Sequence, residues 1–379
     1  KLGGTPHIEL EQEYTEIINA GKTVGRRLIA KSILAETTLT SYPEFGAYEW
    51  VTTFENVSDA DSGTLTDIYD FDGELPFEYD APEHSVGYLP AASTAHVFNP
   101  IGSTCIRGEF SSTGRPITKG QKFRYSTSGG RSSQDKAPFF DICRSGEGYI
   151  FAIGWTGQWV CALDRPNADI HVRTGVEKAE FYLRAGEKVR TTSVVIMPYA
   201  LSQDEGHNRW RRLVKKHFSL IGKPGRDAQG PLAAMLWGSL PSDIMIDRIK
   251  KIAKYNMGIE YIWIDAGWYG YSTSPCLTEF EGDWWAHTGS WTVNKNYHPD
   301  GFKEVSQAIR ENGMKFLLWI EPERCLKDTD SVKNHPDFFF KKDDEDNQRL
   351  LNLGNPDACN FAIETVSGLI SELGLSCYR

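Results

Sequence analysis

Four apolar runs in the second half of this chain each end in a side chain able to grip a polar ligand. Ala233-Ala234-Met235-Leu236 runs into Trp237, and Tyr261-Ile262-Trp263-Ile264 runs into Asp265, with Trp268 close behind. Lys315-Phe316-Leu317-Leu318 runs into Trp319, followed by Glu321, Glu323 and Arg324, and a last run, Leu375 to Tyr378, meets Arg379. Rings, carboxylates and guanidinium groups together suit a carbohydrate, whose apolar face lies on an aromatic ring while its hydroxyls bond to charged groups. Seven of the eleven tryptophans fall between Trp237 and Trp319, an enrichment that core packing alone explains poorly. Glycoside cleavage uses two carboxyl groups roughly 5–10 Å apart, a separation that spacing along the chain does not reveal.

Each of these groups also has a purely structural reading. Asp265 could cap a helix or pair with a lysine, and Glu321, Glu323 and Arg324 could form a surface ion-pair cluster. Trp284, Trp285 and Trp291 could pack a loop. Trp263, inside its apolar run, reads as core. His287, His298 and His335 lack the spacing of a metal site, so their reading is structural and no metal is expected.

The elements that must position these groups are parallel strands. Continuous apolar runs read as strands buried on both faces, and helical stretches follow them: from Ser242 or Asp243, a capping pair, to about Asn256, from Phe302 to Asn312, and from Asp357 to Leu373. Strand–helix repetition implies a parallel sheet, and carboxylates at the C-terminal strand ends stand where barrel enzymes keep their catalytic groups. No G-x-G-x-x-G follows any of the runs, which removes the main support for a nucleotide-binding sheet. A barrel takes about 250 residues, more than remain here, so the expectation is the first half of a barrel. Such a half exposes an edge and an apolar face that something else must cover.

The first half of the chain has a different texture. Glu49–Phe54, Gly148–Trp155 and Thr191–Met197 read as strands, and Trp159–Leu163 reads as the hairpin partner of Gly148–Trp155 across Thr156-Gly157-Gln158. Many short strands with Gly, Pro and Ser punctuation predict a large antiparallel sandwich. The polar loop from Ser126 to Asp135 is either plain surface or part of a binding rim. Trp210, Leu213, Val214, His217 and Phe218 form a helical stripe, and Ile221 to Gly225 stops it. The expected division is a sandwich over 1–202, a helical linker over 203–230 and a half barrel over 231–379.

Composition narrows the partners. A formal charge of -10 over 379 residues argues against nucleic acid. No run approaches the roughly eighteen apolar residues of a membrane span. The seven scattered cysteines read as buried free thiols, and Asn56-Val57-Ser58 is a lone glycosylation sequon. Lys1 without an apolar signal core reads as the start of a mature or trimmed chain.

The motifs in order resemble glycoside hydrolase family 36, the melibiase or α-galactosidase family. The matching pieces are W-I-D-A-G-W-Y (263–269), G-S-W-T-V-N (289–294) with H-P-D-G (298–301), G-M-K-F-L-L-W-I-E-P-E (313–323), H-P-D (335–337) and N-L-G-N-P (352–356). P-F-F-D (138–141) and A-I-G-W-T-G-Q-W (152–159) resemble the family's β-supersandwich more weakly. The resemblance implies an all-β supersandwich followed by a TIM-type (β/α)8 barrel, of which about the first half is present.

It also implies a retaining exo-glycosidase acting on terminal α-galactosides of oligosaccharides, without cofactor or metal. Trp237 and Trp319 would border the sugar, Asp265 would grip its hydroxyls, and Trp268, Glu321 and Arg324 would complete the substrate-binding set. Arg379 falls on the basic position of the family's fourth-strand motif, so the nucleophile is expected two residues beyond it and the acid/base further on. No catalytic residue is then expected within the chain, which should not turn over by itself. Ala266 stands where the family has a second Asp, and a lost polar contact in a buried site costs about 1–3 kcal/mol, so Ala266 is the position expected to set specificity. Alternatives are an α-N-acetylgalactosaminidase or β-L-arabinopyranosidase, a glycosyl-transferring relative of the raffinose-synthase kind, or a non-catalytic carbohydrate-binding protein. A periplasmic or secreted location is expected from the substrate class. The oligomeric state stays open, a homo-oligomer included.

Overall fold

The computed structural model describes residues 1–6, 10–19, 21–77, 94–104, 106–200, 202–221, 223, 230–343 and 345–379. They form two compact units, Lys1–Leu220 and Ile221–Arg379.

The first unit is built on a nine-stranded antiparallel sheet. From one edge it runs β1 (Gln12–Asn19), β2 (Lys22–Ile29), β3 (Ile33–Tyr42), β4 (Ala47–Asn56) and β15 (Lys188–Tyr199). It continues through β11 (Glu147–Gly154), β10 (Phe139–Arg144) and β7 (His96–Phe98) to β8 (Arg115–Pro116). A four-stranded sheet takes the order β6 (Phe71–Leu75), β13 (Ile170–Val176), β12 (Trp159–Asp164), β9 (Lys122–Ser126). β5 (Leu65–Thr66) and β14 (Glu180–Phe181) pair separately. The two larger sheets share one core. Phe140 and Phe151 of the larger sheet stack at 4.8 Å, and Trp159 of the smaller meets Phe140 edge-on at 5.7 Å.

The run Thr191–Met197 is apolar on both faces because both are covered. Val194 and Ile196 enter the core between the sheets, while Val195 and Met197 pack with Leu213 and Trp210 of helix α1 (Gln203–Leu213). Ser202 caps α1 by accepting from the Glu205 N–H. Asp141 on β10 holds the helix down, accepting from Tyr199 Oη at 2.9 Å and Gln203 Nε2 at 2.8 Å and meeting His207 Nε2 at 2.9 Å. The helix therefore belongs to the first unit, and the boundary falls inside the 203–230 stretch rather than around it. A π turn over Val214–Phe218 ends the helical period early and leaves Phe218 38% exposed, off the apolar stripe.

The hairpin expected across Thr156-Gly157-Gln158 does not form. Both sides of β11 are already taken, by β10 and β15, so the chain crosses to the other sheet and β12 pairs with β13 and β9. Trp159, Cys161 and Leu163 then pack with Phe151 and Ile153 in the shared core. Asn56 of the sequon is fully buried, its amide donating to the Ala60 and Leu183 carbonyls, so the folded chain offers no acceptor there. Of the described cysteines, all free, Cys161, Cys276 and Cys325 are buried, but Cys143 and Cys359 are only partly so and Cys377 is exposed; Cys105 lies outside the described residues.

The second unit is α/β. Its sheet is parallel, in the order β16 (Ala233–Leu236), β17 (Tyr261–Ile264), β18 (Lys315–Leu318), β22 (Cys377–Tyr378). Helices α2 (Ser242–Lys254), α3 (Lys303–Glu311) and α5 (Pro356–Leu373) send Met245, Ile249, Val305, Ile309, Leu369 and Leu373 into one core with Ile262, Ile264, Phe316 and Leu318. Gly374, left-handed at φ +65°, ends α5. The capping expected of Ser242 is absent because its hydroxyl turns to His298 Nδ1, 2.9 Å away. An excursion not foreseen in the strand–helix alternation separates β18 from α5. It holds β19 (Arg324–Leu326), β20 (Phe339–Phe340) and β21 (Gln348–Leu351) in a small antiparallel sheet, with the short helix α4 (Asp330–Asn334) between β19 and β20. Among the described residues no helix is long and apolar enough to cross a membrane.

Candidate functional site

The register of the parallel sheet aligns the strand ends. Leu236, Ile264, Leu318 and Tyr378 are the last paired row across the four strands. One residue further along each strand stand Trp237, Asp265, Trp319 and Arg379. Backbone bonds carry the ladder through that row: the Asp265 N–H donates to the Leu236 carbonyl at 3.0 Å, Trp319 to Ile264 at 2.9 Å and Arg379 to Leu318 at 3.0 Å. Side chains alternate along a strand, so this row lies on the face of Met235, Trp263, Leu317 and Cys377, opposite the helix-covered core. Four residues nominated from sequence, from segments spread over more than 140 positions, thus share one row.

Their surroundings differ. Asp265 is half-buried, one oxygen accepting the Ala266 N–H at 2.8 Å and the other without a partner among the described residues. Arg379 is exposed, its guanidinium 4.5 Å from the Trp263 ring centre, a cation–π contact that orders the side chain. Trp319 is half-buried, near-parallel to Tyr269 at 6.3 Å and edge-on to Trp291. Trp237 is buried, its indole N–H directed at Cys276 Sγ, 3.2 Å away, and its ring edge-on to Trp284 at 5.2 Å. Trp284, Trp291 and Cys276 all come from the aromatic loop between β17 and α3, which covers this end of the sheet.

Three nominated residues have other roles. Trp268 is fully buried among Tyr269, Trp291 and Phe302, and donates to the Trp319 carbonyl at 2.8 Å, so no ring face is left for a ligand. Glu321 and Arg324 pair with each other at 2.8 Å, and Arg324 lies in the antiparallel excursion with its side chain 48% exposed, so this is the surface ion pair. Trp263, read as core, instead lies on the row's own face beneath Arg379, and its indole N–H is buried without a partner among the described residues.

Supporting residues carried weaker sequence signals. A Cβ at Gly238 would come within 2.6 Å of backbone atoms of Asp265, Ala266 and Trp268, so only glycine lets β16 and β17 end this close. His298 is fully buried, with Nε2 2.9 Å from the Gly238 carbonyl and Nδ1 2.9 Å from Ser242 Oγ. The carbonyl can only accept, which assigns the proton to Nε2, and burial pushes the imidazole pKa down to about 4. His298 is therefore a neutral strut under the strand ends. Asn294 joins the same loop by donating to the Ser272 carbonyl at 2.9 Å. Burial pushes the Tyr269 phenol upward, and its hydroxyl meets Thr288 Oγ1 at 3.2 Å. Among the described residues no three His, Cys, Asp or Glu side chains come together as metal ligands.

This arrangement places an open acceptor on Asp265 and donors on Arg379 beside half-buried aromatic surface, which is the equipment of a site for a hydroxylated ring.

Known proteins resemble the chain along both units. A melibiase family model matches residues 191–378. The α-galactosidase AgaA of Geobacillus stearothermophilus is 26% identical over 275 residues, 68% of this chain and 36% of that protein. The α-galactosidase Mel36A of Lactobacillus acidophilus is 27% identical over 248 residues, 61% of this chain and 32% of that protein. The crystal structure of AgaA superposes with a TM-score of 0.76 at 18% identity, covering 97% of this chain and 52% of that one. A variant of AgaA solved with raffinose superposes at 0.75 and 17% identity, covering 97% and 52%. The chain spans about a third of the length of these curated relatives and about half of the solved chains.

Proposed function

Because the chain belongs to the melibiase family, matched over residues 191–378, we propose that its protein hydrolyses terminal α-galactosides with retention. The first unit is then the family's β-supersandwich, and β16, β17, β18 and β22 are the first four strands of a (β/α)8 barrel. The observation that carries the reading is the single row Trp237–Asp265–Trp319–Arg379 at the C-terminal strand ends, where a barrel of this kind binds its substrate. Asp265 accepts from ring hydroxyls through its free oxygen, and Arg379 donates to others with a planar fork that can bond two at once. Trp319 supplies apolar surface, and Trp237, buried beneath the loop, backs the row.

The substrate class follows relatives solved with raffinose and stachyose. Ala266, which is buried, supplies no second carboxylate. Retaining hydrolysis needs a nucleophile and an acid/base carboxyl about 5–5.5 Å apart. The family pattern assigns the first to the second residue after Arg379, so the 379-residue chain by itself binds without turnover.

The test is a panel of nitrophenyl glycosides offered to the full-length protein and to the 379-residue chain. The α-galactoside is expected to be cleaved by the former and bound but not cleaved by the latter. Equal rejection of every α-galactoside by the full-length protein, or turnover by the 379-residue chain, sinks the proposal.

A further inference from the structure

In the first unit, β1–β4 reach past the four-stranded sheet. Of their apolar side chains only Trp50 joins the core between the two sheets, while Ile29, Ile33 and Phe54 pack with Leu65 and Ile68 in a separate cluster. Between those clusters the sheet face is the floor of a cleft of about 510 Å³, walled on its other side by residues of the 65–72 segment. That volume falls in the range of small-molecule sites, roughly 300–1,000 Å³.

Strand register lays out the floor. Its middle row is Glu16, Gly25, Thr37 and Thr52, paired in turn across β1, β2, β3 and β4. Gly25 leaves that row without bulk, and the Tyr14 ring leans into the vacant place, its atoms 3.0–3.6 Å from where a Cβ would stand. Tyr14 donates to Glu16 Oε2 at 2.8 Å and is 57% exposed, so the ring is held over the floor with an open surface. Arg27 adds donors beside it, its guanidinium 5.8 Å from the ring centre. Thr37 and Thr52 share one hydrogen bond at 2.9 Å, which leaves one hydroxyl proton and lone pairs on both oxygens uncommitted. Trp50 lies two residues before Thr52 on β4, three strand spacings or about 14 Å from β1. Its indole N–H, unlike those of Trp263 and Trp291, is not sealed from solvent, and it has no hydrogen-bond partner among the described residues. Groups of both charges line the cleft, Arg27 against Glu16, Asp67 and Asp72, so a strongly charged guest meets like charge. A neutral polyhydroxylated ring finds aromatic surface, donors and acceptors together.

We propose that this cleft binds a neutral oligosaccharide, with one sugar ring on Tyr14 and hydroxyls bonded to Glu16, Thr37 and the Trp50 N–H. The separation of β1 from β4 calls for more than one sugar ring. The site lies wholly within the first unit and does not depend on the function proposed for the strand-end row.

Calorimetric titration of the 379-residue chain with raffinose, maltotriose and cellotriose tests this, with tri-galacturonate and nitrophenol as controls. Binding that belongs to the cleft is the saturable component that survives Asp265→Asn, and at least one neutral trisaccharide is expected to show it. Tyr14→Ala removes the ring from an exposed position, and Gly25→Val puts a side chain where the ring rests, a β-branched residue that a strand accepts. Each should weaken that component about tenfold. Binding lost in Asp265→Asn but kept in both cleft variants belongs to the strand-end row instead, so the two sites succeed or fail separately. The proposal is overturned if no neutral trisaccharide binds the Asp265→Asn chain saturably, or if binding is undiminished in either cleft variant. Equal binding of tri-galacturonate (a site blind to charge) or of nitrophenol (a site blind to hydroxyls) overturns it as well.

Discussion

Asp265 and Arg324 carry similar promise in the sequence and opposite roles in the fold. Asp265 keeps one carboxylate oxygen free at the end of β17, whereas Arg324 spends its charge on Glu321 in a half-exposed pair. Asp265→Asn preserves shape but replaces an ionic acceptor, and bonds to charged groups are worth about 1.5–3 kcal/mol. The expected result is a tenfold or greater loss of galactoside affinity, about that energy converted, with an unchanged urea midpoint; unchanged affinity would remove Asp265 from the site. Arg324→Ala should leave galactoside binding unaltered and lower the unfolding free energy by less than about 1 kcal/mol, as exposed pairs do.

At the scale of elements, the loop between β17 and α3 decides how the strand ends are held. His298 bridges the Gly238 carbonyl and the Ser242 hydroxyl, so it ties the end of β16 to the start of α2. Its folded pKa of about 4 lies below the ordinary 6.5. The unfolded chain takes up a proton near 6.5, but the folded chain resists until about 4. This contribution to stability is complete above pH 6.5 and declines as the pH falls toward 4, with a slope of at most about 1.4 kcal/mol per pH unit. His298→Gln keeps an N–H near the Gly238 carbonyl but cannot titrate. It should be less stable than the parent at pH 7.5 and show a shallower loss between pH 6.5 and 4.5 in thermal melts; parallel pH profiles for the two proteins would contradict the role given to His298.

Across the whole molecule, the two units solve burial differently. The first covers the nine-stranded sheet with a second sheet over one region and with α1 over another. In the second, the helices cover one face of the parallel sheet over its two central strands, with Ile262 and Ile264 at 0% exposure, while Met235 on the opposite face is 48% exposed. Ile264→Ala should therefore cost about 2–5 kcal/mol and Met235→Ala less than about 1 kcal/mol, as surface changes do. Equal losses in urea titrations of the 379-residue chain would show that the two faces are equally buried.

Much of this was legible in the residues themselves. Apolar runs marked the strands at 233–236, 261–264 and 315–318, and helical stretches were placed from Ser242 or Asp243 to about Asn256, from Phe302 to Asn312 and from Asp357 to Leu373, because these patterns report local burial and backbone freedom. The strand-end residues Trp237, Asp265, Trp319 and Arg379 were legible for the same reason, since the end of a buried run is where a ligand can reach. What only the tertiary structure decided is partnership. Whether β12 pairs with β11 or crosses to another sheet depends on which backbone groups are already taken, and no local pattern records that. Trp268 and Trp319 are the same residue type, each near the end of an apolar run. One is sealed in the core and the other keeps part of its surface because of neighbours brought from distant segments.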